Sequence, residues 1–125
     1  MEIYCGTDII EIERIKAEIC NHKDMFLNRI YTKNEIDYCE SKNAMKYQHY
    51  AARFAAKEAI FKAISKRLDN KYDVNWLDCE IINNEDGRPV VRILTSKLSM
   101  IKNIDISLSH CKDYATAVVI AEFNN

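Results

Sequence analysis

The spacing of apolar residues predicts helices in the first half of the chain and strands in the second half. Residues 2–10 form a short apolar run that is typical of a strand. Ile12, Ile15 and Ile19 recur three and four positions apart, which predicts a helix over 11–20. Further helices are predicted over 24–31, 33–41, 44–68 and 95–101, and further strands over 76–82, 89–94, 104–109 and 114–121. This order, with helices first and hairpins later, indicates the α+β class.

The residues between these elements support the same boundaries. Thr32 and Glu35 have the spacing of a capping box at the start of the helix over 33–41. The polar run at 83–87 ends in glycine and predicts a tight turn, and residues 110–113 predict a second one. The chain has only two glycines and one proline, so we expect most of it to be regular structure.

Length and composition limit the class of protein. The chain has 125 residues, of which 48% are hydrophobic, and this fits a single domain over residues 1–125 with its own core. The net charge of -1, from 18 basic and 19 acidic side chains, argues against a general nucleic-acid-binding protein. We identify no apolar run long enough to span a membrane and no signal peptide. We therefore expect neither nucleic-acid nor membrane partners.

The cysteines indicate a reducing compartment. Five of them are scattered along the chain at wide spacings, without a Cys-x-x-Cys pair. This spacing argues against a zinc site. A chain with this apolar content also has little need of a disulfide framework. We therefore expect reduced thiols and a cytoplasmic location.

The helix predicted over 44–68 has a small-residue side and a larger, charged side. Between residues 51 and 64, pairs of alanine or isoleucine residues alternate with pairs of larger side chains. Positions four apart share one face of a helix, so the small side is expected to pack closely against another element. The other side carries charged and aromatic residues, namely Arg53, Phe54, Lys57, Glu58, Phe61 and Lys62.

Two interpretations of this charged side remain open. Aromatic rings between cations and a carboxylate are suited to stacking a base and holding phosphates. Glu58 and Lys62 lie one turn apart, however, and such a pair is also typical of a solvated helix face. Phe54 and Phe61 are in the same way typical core residues. The helix alone therefore does not identify an enzyme.

Asp8 lies within an apolar run, where a carboxylate is costly unless it is capped, paired or bound to metal. Gly6 is predicted to leave backbone room for close approach of a ligand. One interpretation is that Asp8 caps the following helix. The other is that Asp8 and Glu58 share one divalent cation, because two carboxylates with phosphate oxygens and waters are the usual ligands of Mg²⁺.

Four segments, taken in order along the chain, resemble the holo-[acyl-carrier-protein] synthases, the small type of phosphopantetheinyl transferase. They are GTDIIEIERI at 6–15, FLNRIYTKNEIDYC at 26–39, RFAAKEAIFKAI at 53–64 and ISLSHCKDYATAVVIAE at 106–122. The third segment is the most specific, and the hairpin with Gly87 and Pro89 also fits. The likeness spans nearly the whole chain. It implies the α+β fold of this family, with a long central helix packed on antiparallel β-hairpins.

The resemblance also implies a reaction. The family transfers the 4′-phosphopantetheine arm of coenzyme A to a serine of apo acyl carrier protein and releases adenosine 3′,5′-bisphosphate. By position, Asp8 and Glu58 are expected to bind Mg²⁺, and Lys62 is expected to lie by the bridging phosphate. All three are expected to be catalytic. The serine proton could be accepted by Glu58, by Asp8 or by a metal-bound water, and Lys62 is expected to stabilise or protonate the leaving bisphosphate.

Further contacts follow from the same resemblance. Arg53 and Lys57, together with Lys62, are expected to hold phosphates of coenzyme A. His110 matches a position that contacts an adenosine phosphate, with a structural role as the alternative. The resemblance further implies a homotrimer with its sites between subunits, and a place in fatty acid biosynthesis and lipid metabolism.

The first predicted helix is the expected docking surface for the acidic carrier protein. Arg14 matches a family position that contacts the carrier, and Arg29 is a weaker candidate. The alternative for each is a solvated basic residue without a partner. Charges at the rim of an interface mainly change the rate of encounter and its salt dependence.

The chain departs from the family in two places. A glycine-bearing turn usually follows the long helix, and here residues 65–71 contain no glycine. Lys66 or Arg67 is expected to supply side-chain contacts to a phosphate instead. Phe61 stands where a small polar residue is common, so a hydroxyl contact to the ligand is lost.

Two other functions remain open from the sequence. A metal-dependent phosphohydrolase of a nucleotide-like substrate could use the same Asp8, Glu58 and Lys62. It would hydrolyse coenzyme A without a carrier protein. A non-catalytic binding module that forms trimers through its hairpins would show no metal dependence and would tolerate Glu58→Ala.

Overall fold

A computed structural model describes residues 1–124, apart from the side chain of Lys71. Asn125, the last residue of the predicted domain, lies outside the described residues. The helices and strands are β1 (Glu2–Glu11), α1 (Ile12–Ile30), α2 (Lys33–Glu40), α3 (Lys46–Ile64), β2 (Cys79–Asn83), β3 (Pro89–Ile93), β4 (Ile101–His110) and β5 (Tyr114–Phe123). Single 3₁₀ turns lie at Asn43–Met45, Ser65–Arg67, Lys71–Asp73, Trp76–Asp78 and Ser96–Leu98. The combination of helices and antiparallel strands confirms the α+β class.

β5 is the central strand of a three-stranded antiparallel sheet, with β1 on one side and β4 on the other. The β4–β5 pair is the predicted hairpin. β2 and β3 form the other predicted hairpin as a separate two-stranded sheet. The pairing of β1 with β5 joins the two ends of the chain and sets Asp8 opposite Ala117. This pairing does not follow from the sequence pattern, because strand periodicity indicates which face is buried and not which strand is the partner.

α3 packs across one face of this sheet and forms the centre of the core. Every second residue of β5 is buried, namely Ala115, Ala117, Val119, Ala121 and Phe123. The alanines on the small side of α3 are also buried. Small side chains on both elements allow their backbones to approach closely, so the predicted close packing of this helix side is confirmed.

Gly6 brings β1 into backbone contact with α3. A Cβ atom at this position would lie 2.0 Å from the carbonyl oxygen of Ala59 and 2.9 Å from the amide nitrogen of Ala63. The prediction that Gly6 leaves room for a ligand is therefore wrong, because the helix fills that space. Side chains alternate between the faces of a strand, so Asp8 faces the same helix two residues later.

The structure joins two helices that the sequence pattern separates. α1 continues through the gap predicted at 21–23, and only His22 leaves helical geometry, with φ -140° and ψ 42°. The capping box of Thr32 and Glu35 at the start of α2 is confirmed. No helix within the described residues is both long and apolar enough to cross a membrane.

Three predicted elements are shorter in the structure by two residues or more. The helix over 44–68 tightens into a single 3₁₀ turn at each end. The strand over 76–82 begins at Cys79, because a capped turn precedes it. The helix over 95–101 is a single turn, because Ile101 already pairs with β5 in the sheet. The central parts of these elements are correctly predicted, and the errors lie at their ends.

Candidate functional site

A cleft of about 500 Å³ opens where the end of β1 meets α1 and α3. Both candidate carboxylates, Asp8 and Glu58, line it. The remaining lining includes two arginines of α1 and three aromatic rings, namely Arg14, Arg29, Phe26, Phe54 and Trp76. The cleft therefore gathers candidate residues from elements that are far apart in the sequence.

Asp8 and Lys62 form an ion pair next to Glu58. Lys62 Nζ donates hydrogen bonds to Asp8 Oδ1 at 3.1 Å and to the carbonyl oxygen of Thr7 at 3.0 Å. The Asp8 side chain is only 17% exposed, whereas the Lys62 side chain is 54% exposed. Asp8 does not cap α1, whose N-cap residue is Glu11. The ion pair that helical spacing suggests between Glu58 and Lys62 is thus formed by Asp8 and Lys62 instead.

The environment of Glu58 penalises its negative charge. Burial raises the pKa of Glu58 above its ordinary value, and the nearby carboxylate of Asp8 raises it further, while Lys62 opposes the shift. Two carboxylates that repel each other in a partly desolvated site are a favourable place for a cation.

The donor set of this site fits Mg²⁺. Magnesium prefers oxygen ligands and is often held by one or two protein carboxylates together with substrate phosphates and waters. Within residues 1–124, no group of three or more His, Cys, Asp or Glu side chains is placed to hold a metal ion. Asp8 and Glu58 are therefore suited to a cation whose coordination is completed by a phosphate and water.

Aromatic rings line one part of the cleft. Phe54 stacks on Trp76 with ring centroids 5.1 Å apart, and Phe26 stacks on Phe54 at 6.3 Å. Phe61 meets the edge of Trp76 at 5.2 Å. Phe54 is half-buried and lines the cleft. One part of its ring therefore packs in the core, and another part forms the surface of the cleft.

Arg53 and His110 differ in their access to a ligand. Arg53 is 2% exposed. Its Nη2 donates to Asn83 Oδ1 at 2.7 Å, and its guanidinium lies 4.2 Å from the ring centre of Tyr38. His110 is exposed at the end of β4. Arg53 therefore contributes positive charge from beneath the surface, whereas His110 is open to direct contact.

Lys57 points into the core rather than to the cleft. Its side chain is 1% exposed, and Nζ donates to Glu35 Oε1 at 2.7 Å, to the carbonyl of Ile30 at 2.7 Å and to the carbonyl of Trp76 at 2.9 Å. An ammonium group has three donors, so no donor remains for a ligand. The prediction that Lys57 holds a coenzyme A phosphate is therefore wrong.

Glu35 is the buried partner of Lys57, and burial lowers the pKa of Lys57 while the Glu35 carboxylate opposes that shift. The second carboxylate oxygen of Glu35 accepts a hydrogen bond from the backbone of Ile81 at 2.8 Å. Through this carboxylate, α2 is tied to both α3 and β2. The pair thus holds together elements next to the cleft.

Replacing Lys57 should therefore affect stability. We expect Lys57→Met to lower the free energy of unfolding by about 3–5 kcal/mol, because it leaves the buried Glu35 carboxylate without its counter-charge. Lys33→Met breaks the exposed ion pair with Asp37, whose length is 2.9 Å, and should cost less than about 1 kcal/mol. Urea unfolding followed by circular dichroism measures both variants. Equal losses in the two variants would contradict the structural role of Lys57.

The remaining predicted contacts fall into two groups. Arg14 and Arg29 are exposed on α1 and line the cleft. Lys66 and Arg67 turn toward the start of β1 instead. Arg67 Nη1 donates to Glu2 Oε2 at 3.0 Å, and Lys66 lies over an aromatic ring of the same strand. Neither lines the cleft, so the expectation that one of them replaces a glycine turn near the phosphates is not supported.

The sequence pattern does not reveal that Phe26 and Trp76 line the cleft, or that the His49 ring lies 6.1 Å from the His110 ring. Phe26 and Trp76 belong to different predicted elements and meet only after folding. His49 lies one helical turn before Arg53, and residues four apart share a helix face. That spacing is the one signal that could have identified His49.

The fold and site match a known class of enzyme. A sequence model of the 4′-phosphopantetheinyl transferase superfamily matches residues 4–119. The chain therefore belongs to the 4′-phosphopantetheinyl transferase superfamily. Among its relatives, the holo-[acyl-carrier-protein] synthase of Protochlamydia amoebophila is 45% identical over 122 residues, which cover 96% of this chain and 98% of the relative.

Solved structures agree with this assignment. The holo-(acyl-carrier-protein) synthase of Bacillus anthracis in complex with CoA (3′,5′-ADP) superposes with a TM-score of 0.79 at 34% identity, covering 97% of this chain and 96% of that one. The Helicobacter pylori holo-[acyl-carrier-protein] synthase in complex with coenzyme A has a TM-score of 0.82 at 29% identity, covering 94% and 99%. The predicted family and fold are thereby confirmed.

Proposed function

We propose that the protein transfers the 4′-phosphopantetheine arm of coenzyme A to a serine of apo acyl carrier protein, releasing adenosine 3′,5′-bisphosphate. The observation that carries this proposal is the convergence of Asp8, Glu58 and Lys62 beside one cleft. The names of the relatives, and the coenzyme A in the related structures, support the same reaction. The whole chain, residues 1–125, acts as one catalytic domain in this proposal.

The proposed chemistry is a phosphoryl transfer. The serine oxygen attacks the phosphorus that bears the pantetheine arm, and the bond from that phosphorus to the bridging oxygen breaks. A carboxylate of the site, Glu58 or Asp8, can accept the serine proton. Lys62 stabilises or protonates the bridging oxygen as it leaves with the bisphosphate.

Asp8 and Glu58 are the residues that would hold Mg²⁺ in this proposal. When bound, the ion would neutralise charge on the pyrophosphate of coenzyme A. Lys62 already contacts Asp8 Oδ1, so its ammonium lies where the same phosphates would approach. The aromatic wall of Phe26, Phe54 and Trp76 offers apolar surface to the uncharged pantetheine arm.

The intact mass of the carrier protein tests this function. We expect incubation with coenzyme A, apo acyl carrier protein and Mg²⁺ to add one phosphopantetheine to the carrier. EDTA should abolish the gain, and excess Mg²⁺ should restore it. No gain with folded enzyme and folded carrier would contradict the proposal. Consumption of coenzyme A without the carrier would indicate a phosphohydrolase instead.

Arg14 is the proposed carrier-docking residue, because it is exposed on α1 and lines the cleft. We expect Arg14→Ala to raise KM for the acyl carrier protein about tenfold at low salt with little change in kcat, because a rim charge acts mainly on encounter. Lys33→Ala, an exposed cation on α2, is the matched control. The difference should shrink in high salt, which screens surface charge. Equal KM values for both variants at low salt would remove the docking role.

We further propose that the protein is a homotrimer, as its family resemblance implies. The sheet face turned away from α3 exposes apolar side chains, namely Ile3, Ile9, Val118 and Ile120, each 47–64% exposed. Such a patch is typical of a surface covered by a partner. Ile9 also lines the cleft, which supports a site next to a subunit boundary. Sedimentation velocity measures the number of subunits in the assembly. We also propose a cytoplasmic location.

A further inference from the structure

A second groove, of about 390 Å³, lies along α1 next to the cleft. Its lining consists of Glu18, His22, Met25, Phe26 and Arg29, and we call it the α1 groove. Glu18, Phe26 and Arg29 also line the cleft, so the two cavities share a wall. Met25 is 78% exposed. An exposed methionine beside a half-buried phenylalanine is apolar surface of the kind that a protein partner covers.

Glu18 places a negative charge in the middle of this surface. Along α1 it follows Arg14 by one helical turn and precedes Arg29, and all three side chains are exposed and line the cleft. Within residues 1–124, none of the three forms an ion pair. A glutamate that follows a cation by one turn is in the weaker order for pairing on a helix. The carboxylate of Glu18 is therefore available to act on a partner.

The order of charges along α1 defines the partner that fits it. Arg14 and Arg29 attract carboxylates, whereas Glu18 repels a carboxylate placed opposite it. A partner that fills the α1 groove also removes water from Glu18, and an unpaired charge without water is costly. The complementary surface therefore has carboxylates opposite the two arginines, an apolar side chain in the α1 groove and an uncharged residue opposite Glu18.

We propose that Glu18 is a specificity-determining residue, which lowers the affinity for carrier proteins with a carboxylate opposite it and so selects carriers with an uncharged residue there. The identity of the partner rests on the proposed function, whereas the charge pattern rests on the residues of α1. Specificity is a difference of affinities, and repulsion of the wrong partner contributes to it as attraction of the right one does. Arg14 and Glu18 thus act with opposite sign on an acidic carrier.

A cycle of matched substitutions in enzyme and carrier tests this proposal. The probe is an apo acyl carrier protein whose acceptor serine is replaced by alanine, so that binding is measured without transfer. Exposed positions near that serine face α1 when the serine reaches the cleft, and they carry Glu or Gln one at a time. Titration calorimetry at low salt measures Kd for the wild type, Glu18→Lys and Glu13→Lys. Glu13 is an exposed residue of α1 that lines neither cavity and gives the matched control.

One carrier position should respond to the charge at Glu18. There we expect the wild type to bind the Gln form about tenfold more tightly than the Glu form. Glu18→Lys should reverse that order, and Glu13→Lys should keep it. Carriers that retain the serine should show the same order in KM, with kcat unchanged. If Glu18→Lys reverses the order at no position, including the case of an equal loss for every carrier, the proposal is overturned.

The two proposals can fail independently. Calorimetry with the alanine form of the carrier needs no reaction. If the serine form gains no mass while the reversal at Glu18 is observed, the transferase proposal fails alone. If the serine form gains mass while neither Kd nor KM shows the reversal, only the assignment of Glu18 fails.

Discussion

We expect Glu58→Gln to lower kcat/KM for phosphopantetheine transfer by at least about 10³-fold. The amide keeps the size of the side chain but removes the negative charge that, with Asp8, would hold Mg²⁺. It also removes a carboxylate oxygen able to accept the serine proton. Initial rates of adenosine 3′,5′-bisphosphate release, measured over a range of Mg²⁺ concentrations, give the size of the loss.

The same substitution should leave the fold at least as stable as the wild type. The pKa of Glu58 is raised, by burial first and by Asp8 second, so the folded state holds this proton more tightly than the unfolded chain. The stability from this proton is present below the ordinary pKa of a glutamate and is lost as pH rises through the raised one. At neutral pH the ionised carboxylate is therefore unfavourable, and its removal should keep or raise Tm without Mg²⁺.

Glu85→Gln removes a carboxylate from the exposed turn between β2 and β3 and should keep wild-type activity. Calorimetric Tm values at pH 7 show whether each variant is folded. If folded Glu58→Gln retains more than about a tenth of the wild-type rate, the carboxylate is not needed for the reaction.

Gly6→Ala should unfold most of the protein, with a cost of more than about 5 kcal/mol, which is a large part of the stability of an ordinary domain. The new Cβ would lie 2.0 Å from a backbone oxygen of α3. Backbone atoms in the middle of a helix cannot rotate aside as a flexible side chain can. β1 must then move off α3, which also displaces Asp8 from Lys62. Urea unfolding and soluble yield measure the loss.

Gly87→Ala is the matched control for this effect. Gly87 has φ 84°, and a Cβ there meets no atom within 4 Å. The substitution therefore tests backbone conformation without a clash and should cost about 1 kcal/mol. If Gly6→Ala costs no more than Gly87→Ala, the close approach of β1 to α3 is contradicted.

Local chemistry explains which parts of the fold follow from the sequence. The capping box of Thr32 and Glu35 is confirmed, because all of its groups lie within four residues of each other. The turn between β2 and β3 is also local. The second role of Glu35, which binds Lys57 and the backbone of Ile81, joins positions far apart in the sequence. No pattern of neighbouring residues contains that information.

The charged side of α3 shows that spacing along one helix does not determine which of its residues reach the site. Helical spacing correctly groups Arg53 and Lys57 on one side, but it does not say whether that side meets solvent or protein. In the structure both residues are buried, whereas Glu58 lines the cleft and Lys62 is largely exposed. The role predicted for Lys57 fails for this reason.

The sequence by itself determined the α+β class, the central parts of the helices and strands, and the family to which the chain belongs. These properties depend on local spacing and on the order of short segments. The tertiary structure alone decided that Gly6 meets the backbone of α3, that Lys62 pairs with Asp8, and that the rings of His49 and His110 lie 6.1 Å apart. Each of these depends on which faces meet when distant elements pack, and residue spacing within one element does not specify that.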